Sequence, residues 1–307
     1  MPNYGVVDLG SNTIRLVIFE IKDDHKHAYT HKDFKSLLND KVMAGLSAHV
    51  RDGVFTDAGI KRAVNVLKGH AKRARYFDCK RFDVFATAVL RNCTNSAEAI
   101  SGIEESVGTP ITLLSMRDEA HLGFVGATCD RYIERGTLVD IGGGSTELTR
   151  IEDGHDHHNV SVAQGSLSSY ASFVRGILPT PEEMVDITQG FSARIAALPN
   201  PHAYDTPTFY GIGGSVRATA KMHAQINSLD VRPKTMTTSE IRAILDKCRT
   251  DPDSFAHHAL KASAERVHTL TPGCLILDAL LERFGGTQLE LCKYGVREGY
   301  LLERMLG

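Results

Sequence analysis

Two ten-residue segments of the chain match in register. Val7-Asp8-Leu9-Gly10-Ser11-Asn12-Thr13-Ile14-Arg15-Leu16 and Val139-Asp140-Ile141-Gly142-Gly143-Gly144-Ser145-Thr146-Glu147-Leu148 each carry an apolar run, an Asp, a Gly, a small polar loop and a second alternating run. Each segment predicts a β-hairpin closed by Gly, Ser, Asn and Thr. Their repetition about 130 residues apart calls for two halves with the same starting topology. The 307 residues leave room for both, at roughly 100 to 200 residues per domain, without metal or disulfide staples.

Beyond each hairpin the pattern alternates. In the first half, Thr56 caps an expected helix from Asp57 to Phe77 with Ile60, Ala63, Val64, Leu67, Ala71 and Ala74 on one stripe. A strand near Phe82 to Thr87, a helix near Ser96 to Val107, a strand at Ile111 to Leu114 and a helix from Arg117 to Tyr132 follow. The second half predicts a strand near Val160 to Ala163 and helices near Ser166 to Arg175 and Glu182 to Ala197. Next come a strand at Thr208 to Ile212 and helices over Gly214 to Gln225, Ser239 to Lys247 and Cys274 to Phe284. Strands alternating with helices imply an α/β fold with a mainly parallel sheet in each half. Asp23 to His31, Pro199 to Pro207 and Asn227 to Thr237 read as looser connections.

A formal net charge of -2, from 35 Lys+Arg against 37 Asp+Glu, argues against a bulk-charge nucleic-acid binder, which needs a basic excess to neutralise phosphates. A small phosphorylated ligand stays open. No apolar run reaches a bilayer-spanning length, and the start Met1-Pro2-Asn3-Tyr4 lacks a signal-peptide pattern. A cytoplasmic protein without membrane contact is expected. The six cysteines stand singly, which predicts buried reduced thiols and no zinc site.

Tight loops of small residues after buried strands turn backbone N–H groups into anion sites. Three fit: Gly10-Ser11-Asn12-Thr13, Gly142-Gly143-Gly144-Ser145, and Gly211-Ile212-Gly213-Gly214-Ser215 ahead of a helix. Arg15 lies just past the first. A plain turn is the alternative for each loop alone. Asp8 and Asp140 end the first strands of the two hairpins, and a carboxylate beside bound phosphate implies an intervening cation such as Mg²⁺. Glu147 can project into the same place as Asp140; turn capping is the alternative for Asp140 and more so for Asp8. Thr87 and Arg91 follow a strand, and the Arg91 guanidinium suits phosphate.

These residues, with Asp118-Glu119-Ala120, Gly213-Gly214-Ser215-Val216-Arg217, Pro272-Gly273 and Val296-Arg297-Glu298-Gly299, resemble in order the motifs of the exopolyphosphatase/guanosine pentaphosphate phosphohydrolase (Ppx/GppA) family over nearly the whole chain. The resemblance implies two related actin/hexokinase/Hsp70-like (ribonuclease H-like) domains flanking a central cleft. Residues 1–121 and 295–307 would form the first, and 122–294 the second, with the C-terminal helix from Arg297 to Leu306 returning to the first. It further implies Mg²⁺-dependent (or Mn²⁺-dependent) release of terminal phosphate from polyphosphate or pppGpp. Glu119 would be the catalytic carboxylate. Asp140 and Glu147 would hold the metal, with Glu147 also positioning water. Ser11, Asn12, Thr13, Arg15, Arg91, Gly143, Gly144, Ser145, Gly214 and Ser215 would grip phosphates. The family often forms homodimers. This chain departs from the usual Gly-x-Glu-Glu-Ala-Arg pattern at Asp118 and His121. It also resembles a short form without the added helical domain of longer members. Polyphosphate is the first expected substrate; pppGpp or a nucleoside triphosphate, or a non-hydrolysing sensor, are the alternatives.

Two conspicuous features have plain explanations. Lys61, Lys68, Lys72 and Arg75 share one side of the first helix, as a solvated face or a polyanion track. His155-Asp156-His157-His158 reads as a polar hairpin tip rather than a metal site.

Overall fold

A computed structural model describes residues 1–22 and 29–307 of the chain. Of the looser stretch from Asp23 to His31, residues 23–28 lie outside the described residues. The chain divides into two compact units, Met1–Tyr132 with Tyr294–Gly307, and Ile133–Lys293.

The first unit begins with β1 (Asn3–Leu9), β2 (Thr13–Ile21) and β3 (Phe34–Met43), followed by the short pair β4 (Val50–Arg51) and β5 (Val54–Phe55). Then come α1 (Asp57–Tyr76), β6 (Cys79–Ala86), α2 (Ala88–Arg91), α3 (Ser96–Val107), β7 (Ile111–Leu113) and α4 (Met116–Thr128). The second contains β8 (Gly136–Ile141), β9 (Thr146–Glu152), β10 (His155–Val162), α5 (Ser166–Phe173), α6 (Pro181–Ala196), β11 (Thr208–Ile212) and α7 (Gly213–Ile226). It continues through β12 (Thr235–Thr237), α8 (Thr238–Thr250), α9 (Pro252–Ser263), α10 (Val267–Arg283) and β13 (Gln288–Leu291). The chain then returns to the first unit as α11 (Val296–Tyr300) and a π-helical turn, Leu301–Met305.

The duplication read in the sequence is a duplication of topology. The sheets run β3-β2-β1-β6-β7 and β10-β9-β8-β11-β13-β12. In each, the opening hairpin is antiparallel and the next strand in order pairs in parallel with the hairpin's first strand. This is the expected ribonuclease H-like order; β12 extends the second sheet antiparallel to β13.

Alternation along β1 and β2 divides the first unit's core between two faces. Val7, Leu9, Ile14, Leu16 and Ile18 pack with Ala63, Leu67, Ala99 and Ile103 of α1 and α3. Tyr4, Val6, Val17, Phe19 and Ile21 pack with Leu122 of α4 and with Tyr300, Leu301 and Met305 at the C-terminus. Each buried Val, Leu, Ile, Phe or Met side chain among them contributes about 1.5–3 kcal/mol. In the second unit, Val139, Ile141 and Leu148 join one core with α6, α7, α8 and α10.

Several boundaries differ from expectation. The unit boundary falls after Tyr132 and not at 121, because α4 is one helix packed on α11 within the first unit. Here a Cβ on Gly126 would meet the Gly295 carbonyl and one on Gly299 the Leu122 carbonyl, so the two helices touch backbone to backbone. α10 starts at Val267 and runs through Pro272, whose lost hydrogen bond is offset by burial of Thr271, Pro272 and Gly273. The His155–His158 run is not a hairpin tip: Asp153 and Gly154 turn the chain at positive φ, and the four residues lie in β10. Among the described residues no cluster of three or more metal-type side chains occurs there or elsewhere. Lys61, Lys68, Lys72 and Arg75 are exposed opposite the buried stripe of α1. All six cysteines are free; Cys93, Cys248, Cys274 and Cys292 are buried, whereas Cys79 and Cys129 are partly exposed. Burial pushes the Cys274 thiol up to about 12. Among the described residues no helix is long and apolar enough to cross a membrane.

Candidate active site

The two hairpin loops are built alike. Gly10 N donates to Thr13 O at 3.0 Å, and Gly142 N to Ser145 O at 2.9 Å. In each unit the segment after the third strand then holds the loop carbonyls. Ser47 N donates to Ser11 O, and Ala44 N and Gly45 N donate to Asn12 O. In the second unit Ser166 N donates to Gly142 O, and Leu167 N and Ser168 N donate to Gly143 O, all at 2.9 Å. A trans peptide points its N–H opposite to its C=O, so these bonds turn the Asn12, Gly143 and Gly144 amides away from the capping segment. That is the arrangement an anion cradle needs.

Strand register sets charges beside the loops. Asp8 stands opposite Arg15, which stands opposite Lys41 across β1, β2 and β3. At the equivalent positions of β8, β9 and β10, Asp140 stands opposite Glu147 and Glu147 opposite Ser161. The first row is net basic and the second acidic. Asp8 is further bound by Arg297, whose Nη1 donates to Oδ2 at 2.9 Å. Burial nevertheless pushes the Asp8 carboxyl above its ordinary value, with Arg297 and then Arg15 opposing the shift. Arg15 Nε donates to Asn39 Oδ1 at 2.6 Å.

In the second row Glu147 is buried, and its Oε1 accepts from Ser145 Oγ at 2.6 Å and Ser161 Oγ at 2.9 Å. The Asp140 carboxylate lies against Gly213, where φ is 81° and a Cβ would meet it. Beside it the Arg266 guanidinium covers Gly214. Burial lowers the pKa of Arg266, while Glu265 and Asp140 oppose the shift. Two directly opposed carboxylates repel, and their oxygens, with the neighbouring hydroxyls, are hard donors of the kind Mg²⁺ takes. Asp140 and Glu147 therefore fit a divalent cation. The Ser215 hydroxyl is turned inward, donating to the Ile141 carbonyl at 2.8 Å; only its backbone remains for a phosphate.

Glu119 lies in the first turn of α4, where the macrodipole favours acids and Ser115 caps by accepting from Asp118 N at 3.0 Å. Arg91, at the end of α2, donates from Nη1 to Glu119 Oε2 at 2.7 Å and to the Leu114 carbonyl at 3.0 Å. Both side chains are mostly buried. The first unit thus joins Asn12, Thr13, Arg15, Arg91 and Glu119 to a strand-end frame, and the second gathers Asp140, Gly143, Gly144, Ser145, Glu147 and Gly214. Sequence reasoning missed Arg266, Ser161 and Lys41. Cross-strand register, counted out along the hairpins, would have found the last two; no local pattern marks Arg266.

A model of the Ppx/GppA phosphatase family matches residues 17–307. A Haemophilus influenzae protein whose name carries exopolyphosphatase as a provisional assignment is 26% identical over 303 residues, 97% of this chain and 90% of that protein. The guanosine-5'-triphosphate,3'-diphosphate pyrophosphatase of Vibrio cholerae is 30% identical over 148 residues, 48% of this chain and 28% of that protein. The crystal structure of an exopolyphosphatase from Cytophaga hutchinsonii superposes with a TM-score of 0.83 at 18% identity, over 98% of both chains, and shows the shared fold.

Proposed function

The chain belongs to the Ppx/GppA phosphatase family, and from that premise we propose that it hydrolyses terminal phosphoanhydride bonds of inorganic polyphosphate, releasing orthophosphate. The observation that carries this proposal is the charge contrast of the two equivalent strand rows, Asp8, Arg15 and Lys41 against Asp140, Glu147 and Ser161. A basic row suits a polyanion, and an opposed carboxylate pair suits a divalent cation.

Phosphoryl transfer leaves little covalent work to the protein, so positioning and charge neutralisation dominate. In the first unit the Asn12 amide and Arg15, and in the second the amides of Gly143 and Gly144, each offer donors for non-bridging phosphate oxygens. In the second unit Asp140 and Glu147 would hold Mg²⁺ or Mn²⁺, which would supply neutralisation of phosphate charge. Glu119, its carboxylate oriented by Arg91, directs a water at the terminal phosphorus and takes the proton the water loses. The new P–O bond forms as the bond to the bridging oxygen breaks, leaving orthophosphate and a chain one phosphate shorter.

Hydrolysis of pppGpp is the second reading, supported by the 30% identity to the Vibrio cholerae enzyme. Orthophosphate release from tripolyphosphate, long-chain polyphosphate, pppGpp and ATP, with and without Mg²⁺, separates the two. Faster turnover of polyphosphate is expected. Turnover confined to pppGpp reverses the ranking, and no turnover of any substrate removes both.

A further inference from the structure

Asp118 and His121 flank Glu119, and both are held by consecutive residues of the C-terminal π turn. His121 Nε2 lies 2.7 Å from Glu303 Oε2; the carboxylate can only accept, so Nε2 carries the proton. Arg304 Nη2 donates to Asp118 Oδ1 at 3.0 Å. Glu303 Oε1 and Arg304 Nε are themselves 3.4 Å apart, and Asp118 Oδ2 accepts from Ser115 Oγ at 2.6 Å. An unbroken polar chain therefore links Ser115, the cap of α4, with Asp118 and His121 in its first two turns through two neighbours at the chain's end. Asp118 and His121 are three residues apart and share one side of α4. Glu119 projects about 100° away from Asp118, where Arg91 receives it.

From this geometry we infer that Glu303 and Arg304 are positioning residues for Glu119, acting through His121 and Asp118. Below this clamp the rotation of α4 is already restricted, because its Gly126 lies against Gly295 and its Leu122 against Gly299. The polar clamp fixes the remaining free end, the first turn. π turns inside helices commonly mark functional places, and here the turn brings two adjacent side chains onto the same helix. The same C-terminal segment also supplies Arg297 to Asp8, so one element holds the carboxylate beside the first loop and the helix that carries Glu119.

The ion pairs are half-exposed: Arg304 is 46% and Asp118 42% exposed, His121 35% and Glu303 33%. Pairs of that kind add little to global stability. Their consequence is local geometry, where a displacement of about an ångström costs up to about a hundredfold in rate. This inference rests on the hydrolase proposed above, and two readouts keep them apart.

The first readout is kinetic, on the full chain with Mg²⁺ and polyphosphate. Arg304→Glu and the double variant Glu303→Ala/Arg304→Ala are expected to lower kcat by about tenfold with KM within about twofold and Tm within about 2 °C. Arg304→Lys, which keeps the charge but loses the planar bridge between Asp118 and Glu303, is expected to fall between the double variant and the parent. The second readout is amide hydrogen exchange, which should speed up over residues 115–121 in the double variant and stay unchanged in β1, β2 and β6. A double variant with parental kcat, a loss carried by KM alone, or unchanged exchange over α4 overturns the inference. Absence of turnover in the parent removes the hydrolase proposal, and the exchange readout then still decides whether the clamp exists.

Discussion

Arg91 donates one hydrogen-bonding nitrogen, Nη1, both to Glu119 Oε2 at 2.7 Å and to the Leu114 carbonyl at 3.0 Å. The Leu114 carbonyl, just past the end of β7, thus fixes the guanidinium, and the guanidinium fixes the carboxylate. Glu119→Gln keeps the shape of the side chain and one oxygen that can accept from Arg91, but removes its charge and its ability to take a proton. It is expected to lower kcat by about 10²–10⁴-fold with an unchanged circular dichroism spectrum. Arg91→Lys replaces a planar fork by a point charge and should fall between this variant and the parent. A Glu119→Gln protein that releases orthophosphate at the parental rate would falsify the assignment of Glu119 as the base.

The opposed carboxylates of Asp140 and Glu147 give a second prediction, in which stability and activity move in opposite directions. Directly opposed like charges on neighbouring strands cost about 0.2–1 kcal/mol, and Glu147→Gln removes the repulsion while its Oε1 can still accept from Ser145 and Ser161. In EDTA, Glu147→Gln is expected to melt about 1–3 °C above the parent. Adding Mg²⁺ should raise the parent's Tm and leave the variant's nearly unchanged, and only the parent should turn over substrate. Equal Mg²⁺-induced shifts in both proteins would show that the cation binds elsewhere.

How far this site could be read without coordinates follows from the range of each signal. The hairpin loops, the cap at Thr56 and the first turn of α4 are local patterns, and they lie where the sequence put them. β3 was missed because it is an edge strand with a polar, weakly alternating face, Lys35 to Lys41. α9 was missed although Asp251 caps it and Pro252 opens it, a start signal that the sequence does carry. Arg266 was beyond reach: it covers Gly214, and feels the charge of Asp140, only because α10 and α7 pack together. The charge contrast between the rows sits between these cases, since hairpin register alone brings Glu147 opposite Asp140 and Arg15 opposite Asp8.

Gly213 tests the backbone of the second unit's site. Its φ of 81° lies in the left-handed region, and a Cβ there would meet the Asp140 carboxylate. Gly213→Ala therefore adds about 1–2 kcal/mol of backbone strain and pushes Asp140 from its place. The expected result is a lower denaturation midpoint together with a rise of at least several-fold in the Mg²⁺ concentration for half-maximal activity. Gly285→Ala serves as the comparison: its φ is 68° and a Cβ there meets open space, so it should lower stability to a similar degree and leave the Mg²⁺ dependence alone. The same change in Mg²⁺ dependence for both variants would make the effect one of general strain.

His70 predicts how stability depends on pH. It is fully buried in α1, where Asp40 Oδ2 lies 3.4 Å from Nδ1 while also meeting Arg73 Nε at 3.0 Å. Burial lowers the His70 pKa below its ordinary 6.5, and the attraction of Asp40 and a backbone hydrogen bond to Ile14 only partly oppose this. Below pH 6.5 the unfolded chain therefore binds a proton that the folded chain refuses, and stability falls with pH until the folded pKa is reached. The slope contributed by this one group is at most about 1.4 kcal/mol per pH unit. His70→Leu removes it, leaving Asp40 with Arg73. Between pH 7.5 and 5.5 the parent is expected to lose more Tm than His70→Leu, with the two curves diverging below pH 6.5; parallel curves through that window would mean that His70 takes up its proton in the folded protein as readily as in water.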